Sequence, residues 1–234
     1  MKYTIEFKRF DSEEGLLSEQ ETIERIKQVH YSKPSKKESK AFENANSWAK
    51  YAFENNGIYY VTFYENGDPI ISVYSDDHSF QLQYLIEDEE GRIRVYLELT
   101  FLKFYLDKLF DDIFEPYPNN KVFLNGITIY SRNKQETSKK TIIFDLQKGI
   151  MNSKEIIYSK TNDIYNRLES SSEVNLSHNY FDAPKNYLDY EHLFDYEEIF
   201  KPEYLDIPMN QKEYIYKDGT RYYKDKDGNL IEDN

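Results

Sequence analysis

The strongest constraint on this fold is a period of two. In 79–86 the apolar residues Phe80, Leu82, Tyr84 and Ile86 fall at every second position, and in 92–99 Ile93, Val95, Leu97 and Leu99 do the same. Such alternation belongs to strands with one face in a core. Glu87–Gly91 between them supplies the turn. Ile58–Tyr64 and Pro69–Tyr74 flank Asn66-Gly67, a dipeptide that accepts the positive φ angles of a tight hairpin. Val122–Leu124 and Ile127–Tyr130 flank Asn125-Gly126, which gives the same signal. A chain written this way is expected to build an antiparallel sheet.

The first strand is read from Tyr3, Ile5 and Phe7. Ser18 and Glu21 have the spacing of a capping box. With Ile23, Ile26 and Val29 behind them, they predict a helix over about 19–31, ended by Pro34. A second helix is expected over 36–55, with Ala41, Phe42, Ala45, Trp48, Ala49, Ala52 and Phe53 on one stripe and Asn56-Gly57 as its stop. Leu102–Phe114 fits helix or strand and is closed by Pro116 and Pro118. Thr141–Leu146 reads as a strand and Ile156–Tyr158 as a further one. Ser170-Ser171-Ser172 reads as a loop. Short helices are expected near 187–200, and Asp218-Gly219 and Asp227-Gly228 predict small hairpins in 211–234. The fold class is therefore α+β: an antiparallel sheet of about six to eight strands, two N-terminal helices, and a helical or irregular acidic C-terminal extension. Residues 1–169 are taken as the main domain and 170–234 as the extension, packed on it.

Thirty Lys and Arg face 43 Asp and Glu among the 234 residues, a net charge of −13. Aromatic residues make up 17%, too many for a disordered acidic chain. Without cysteine, disulfides, thiol nucleophiles and Cys-ligated metals are excluded. No apolar run reaches the roughly 20 residues of a membrane-spanning helix, and the alternating N-terminus is unlike a signal peptide. A cytoplasmic location is expected, with no membrane partner.

The charge is uneven. Residues 170–210 hold only Lys185 and Lys201 against nine acids, interleaved with Tyr187, Tyr190, Phe194, Tyr196, Phe200 and Tyr204. Rings supply rigid contact area and carboxylates steer a basic partner, so the mixture suits recognition of a cationic protein surface. It equally suits rings packing down onto the sheet. Nucleic acid is not expected, because the nearest basic cluster, Lys33-Pro34-Ser35-Lys36-Lys37 with Lys40, has Glu38 and Glu43 close behind and phosphate binding needs clustered bases.

Sites of chemistry are hard to find. His30, His78, His178 and His192 include no i, i+4 pair for a helical metal site. Asp76-Asp77-His78 reads as a polar loop before it reads as an acid–base cluster. In the last eleven residues, Gly228 at the sixth position of a calcium loop would put Tyr223 first and Asn234 twelfth, where acids are required. Glycine-rich phosphate loops and a GxSxG elbow are absent. No catalytic residue, metal or cofactor is therefore assigned.

The charge, the Tyr-rich hairpin 58–74 and the acidic aromatic segment 187–200 together resemble the immunity proteins of bacterial polymorphic toxin systems. The resemblance implies a cognate toxin domain, often a nuclease with a cationic active site, bound over or beside that site. The expected charge partners are Asp189, Glu191, Asp195, Glu197 and Glu198, and the expected aromatic anchors Tyr187, Tyr190 and Tyr196. Two other readings stay open: an enzyme built around His78 with Asp76 or Asp77, or around His192, and a subunit of an acidic assembly in which 170–210 docks on its neighbours.

Overall fold

The computed structural model describes residues 2–11, 14–29, 34–103, 120–132, 136–145, 148–159, 165–174, 179–199, 214–217, 220–224, 227 and 229–232. Strands β1 (Thr4–Glu6), β2 (Phe10–Asp11) and β3 (Gly15–Leu16) precede helices α1 (Glu19–Val29), α2 (Lys36–Ala41) and α3 (Ala45–Glu54). Strands β4 (Tyr59–Glu65), β5 (Asp68–Ser75), β6 (Ser79–Glu87), β7 (Ile93–Lys103), β8 (Lys121–Arg132), β9 (Glu136–Asp145), β10 (Ile150–Ser159), β11 (Tyr165–Glu173) and β12 (Tyr180–Asp182) follow. The chain continues through helix α4 (Tyr196–Ile199) to the meander β13 (Tyr214–Lys217), β14 (Thr220–Lys224) and β15 (Leu230–Glu232). Ten strands form one sheet, in the order β1-β4-β5-β6-β7-β8-β9-β10-β11, with β12 paired to β8. The α+β class is as expected, and the main sheet is larger than six to eight strands. No described helix is long and apolar enough to cross a membrane.

Two compact units emerge: Met1–Leu124 with Tyr180–Phe194, and Asn125–Asn179 with Asp195–Asn234. In the first, the alternation places three rows of side chains on one face of β4 to β7. Tyr59, Ser75, Phe80 and Phe101 form the first row. Val61, Val73, Leu82 and Leu99 form the second, and Phe63, Ile71, Tyr84 and Leu97 the third. All twelve are buried. The capping box forms as predicted: Glu21 N donates to Ser18 Oγ, and Ser18 N to Glu21 Oε2 at 2.8 Å.

The single helix expected over 36–55 is two. Asn44 accepts a hydrogen bond from Ser47 N at 2.8 Å and caps α3, while Ser35 and Glu38 cap α2. Asn competes for backbone in this way wherever a helix can restart. The apolar stripe survives the break, with Phe42 stacked on Trp48 at 3.9 Å.

The two Asn-Gly signals part company. Asn66 and Gly67 take φ of 55° and 96° and close the β4–β5 hairpin. An alanine at Gly67 would keep that left-handed backbone at a cost of about 1–2 kcal/mol, so Gly67→Ala is expected to lower the urea midpoint accordingly. Asn125-Gly126 makes no turn: β8 runs straight through it, and Gly126 pairs with Ile143. Cross-strand pairing overrides turn preference there. Ser170-Ser171-Ser172 is likewise not a loop. All three lie in β11 opposite Ser153, Asn152 and Met151, and the boundary drawn at 169/170 falls inside this strand. The hydroxyls of Ser153, Ser170 and Ser172 are buried without a hydrogen-bond partner. Of Leu102–Phe114, Leu102 and Lys103 belong to β7; 104–114 lies outside the described residues, as do the two DG turns in part.

Candidate functional site

The predicted recognition segment divides between the units. Tyr187, Asp189, Tyr190 and Glu191 belong to the first; Asp195, Tyr196, Glu197 and Glu198 belong to the second. The short helices expected near 187–200 are a single helical turn, Glu191–Leu193, and the short α4.

In the first unit the segment's rings point inward. Tyr190 is 0% exposed and packs edge-on against Phe80 at 5.4 Å. Phe194 meets Phe63 at 4.8 Å, and Phe181 meets Phe101 at 5.7 Å. Tyr84 donates its hydroxyl to the Leu193 carbonyl at 3.0 Å. Tyr187 is half-buried beside Phe7 and donates to Asn46 Oδ1 at 3.0 Å. Tyr190 is thus part of the core and presents no ring to a partner. Tyr187 presents only part of one.

The carboxylates face the other way. Asp182 is exposed and paired with Lys121 at 2.6 Å, which holds its pKa below the usual range. Glu191 is exposed. Asp189 accepts from Lys185 N at 2.9 Å, fixing the bend before Tyr190. His192 reaches the Asp182 carbonyl at 2.9 Å and lies 3.9 Å from Asp189, so its ring ties the segment to itself. In the second unit Asp195 is exposed and Tyr196 half-buried. Glu197 and Glu198 stand in α4, and their side chains lie outside the described set.

Beneath Tyr190 lies a buried polar chain. Lys103 Nζ donates to Ser75 Oγ at 2.7 Å and to the Asp76 carbonyl. The Tyr190 hydroxyl, with Ser75 beside it, bonds that of Tyr59. Burial, with Tyr59 adding to it, pushes the Tyr190 phenol well above its ordinary pKa. Burial also lowers the Lys103 ammonium to about 8, against the pull of Asp76 and Asp77. Sequence reasoning missed Lys103. The signal was there: it continues the inward parity of Leu97, Leu99 and Phe101, where a charge is out of place.

The His78 cluster resolves into a turn. The Asp76 carboxylate accepts from Ser79 N at 2.7 Å and His78 N at 2.9 Å. Partial burial opposes its charge, but these bonds, with those from Tyr74 and Ser79 side chains, hold its pKa below normal. The carboxylate is aimed at backbone, and the His78 imidazole pairs in solvent with Asp77 at 3.2 Å. No family model, curated protein or solved structure matches this chain.

Proposed function

We propose that this chain is an acidic binding protein of the inhibitory, immunity type, which neutralises a protein with a cationic surface such as a toxin or nuclease domain. One observation carries the reading. The segment 182–194 is seated by its apolar side chains in the core face, while Asp182 and Glu191 stay exposed. A carboxylate-bearing segment already fixed by packing loses little conformational freedom on binding, which favours affinity. The net charge of −13 adds long-range attraction for a basic partner.

The test takes the immobilised chain, identifies a basic protein retained until high salt, and measures its association with variants. Glu191→Lys in the first unit, and the triple reversal of Asp195, Glu197 and Glu198 in the second, are each expected to slow association about tenfold at low salt and flatten its salt dependence. Unchanged rates and salt slopes in both variants would refute the assignment. The partner's own activity, assayed with and without this chain, then reports whether binding inhibits.

A further inference from the structure

The chain is acidic overall, yet one stretch has the opposite sign. Residues 125–169 hold eight bases against five acids, whereas 61–124 hold five bases against thirteen acids. The register of β8, β9 and β10 explains where those bases go. Ile127, Ile142, Phe144 and Met151 face inward and are buried. The alternate positions carry Tyr130 opposite Lys139, Arg132 opposite Thr137, and Lys154 between Thr141 and Glu169. Arg132 and Lys139 are exposed, and Lys139 Nζ lies 5.4 Å above the Tyr130 ring. On the same outer face Ile143 and Tyr158 are 48% and 47% exposed. Apolar side chains framed by cations form a surface suited to an acidic protein segment.

We propose that this face, with Tyr130, Arg132, Lys139, Ile143, Lys154 and Tyr158, receives the acidic segment 182–191 of a second copy of the same chain. The inference rests on that segment's being an interface, as the proposed function has it, and adds what covers it when no other basic protein is present. The charge complementarity is local: Glu191, with Asp182 and its partner Lys121 beside it, would lie against Arg132 and Lys139. The contact is heterologous, one copy's segment on another's sheet, so assembly is head-to-tail and grows with concentration. An external basic partner would compete for the same segment.

Two copies of net charge −13 repel, and this sets the expected salt dependence. At about 0.01 M salt the repulsion reaches roughly 30 Å and opposes approach. At about 0.15 M it is screened beyond roughly 8 Å while pairs in contact persist, and at about 1 M those weaken as well. Self-association is therefore expected to peak at intermediate salt.

Sedimentation of the full chain, from micromolar to about 0.5 mM, tests this. Arg132→Glu with Lys139→Glu, and separately Glu191→Lys, should each give monomers with unchanged urea midpoints. Mixing these two monomeric variants should give a one-to-one dimer, because one keeps the acidic segment and the other keeps the basic face. The proposal is overturned by a wild-type chain that stays monomeric at every salt, by self-association that survives either variant, or by a mixture that does not pair. It is overturned too if a single-stranded oligothymidylate binds the monomeric wild type and is lost in the Arg132/Lys139 variant, since the face then serves nucleic acid. Capture of an external basic protein by the Arg132/Lys139 variant is a separate readout. It persists if only this inference fails, and it is absent if the proposed function fails.

Discussion

Replacing Tyr190 with Ala is expected to destabilise the chain by about 3–5 kcal/mol, the range for truncating a large buried ring. The ring is 0% exposed, lies against Phe80, and its hydroxyl bonds that of Tyr59. Tyr190→Phe keeps the packing but leaves the Tyr59 hydroxyl a partner short, which costs about 1–3 kcal/mol. Because the two phenols share one hydrogen bond, Tyr59→Phe combined with Tyr190→Phe should cost less than the sum of the single changes. Urea unfolding measures all four. The alanine variant should also expose 182–189 to proteases before the sheet unfolds, since Tyr190 is the buried ring among the contacts that fasten this stretch, beside Phe194, the Leu193 carbonyl and the Tyr187–Asn46 bond. A loss below about 1 kcal/mol would be too small for a core aromatic, and the segment would have to be held elsewhere.

The same residue marks how far the sequence could be read. Strand periodicity is a statement about one chain segment and its own two faces, so β4 to β7 were legible from Phe80, Leu82, Tyr84 and their neighbours. The capping box at Ser18 and Glu21 was legible because it closes within three residues. What failed depended on partners distant in sequence. Asn125-Gly126 has hairpin chemistry, but the 126–132 stretch pairs with β9 and makes the dipeptide mid-strand. The serines at 170–172 look like a loop until Ser153, Asn152 and Met151 are laid opposite them. Tyr190 has the character of an interface anchor, and only the sheet row about 90 to 130 residues earlier shows that it is core. The acidic residues fared differently. Glu191 is exposed, since no core position would take its charge unpaired.

Lys103 gives the second large effect, through pH. The folded chain holds its ammonium at about 8, because burial penalises the charge more than Asp76 and Asp77 restore it; the unfolded chain holds it at about 10.4. Between these values the unfolded state carries the extra proton, so stability rises with pH, by about 1.4 kcal/mol per pH unit. Below pH 8 both states are protonated and the fold carries a half-buried charge; above about 10 both are neutral and no further gain accrues. The gain across this window is therefore about 2–3 kcal/mol. Tyrosines act in the opposite sense: Tyr60 and Tyr190, raised first of all by burial, keep their protons when unfolded tyrosines lose them, so stability falls above about pH 10. Comparing wild type with Lys103→Met at each pH removes the tyrosine contribution, because both proteins carry it. The difference in unfolding free energy should be smallest near pH 7 and grow in favour of wild type up to about pH 10. At pH 7 a half-buried ammonium is traded for a methionine, and Ser75 and the Asp76 carbonyl lose a donor, so the two costs offset. At pH 10 the neutral amine still donates to both acceptors at no charge penalty, and wild type gains. A difference that stays flat from pH 7 to 10 would mean that the Lys103 ammonium is solvated in the folded state, and its bonds to Ser75 and the Asp76 carbonyl would then not be closed to water.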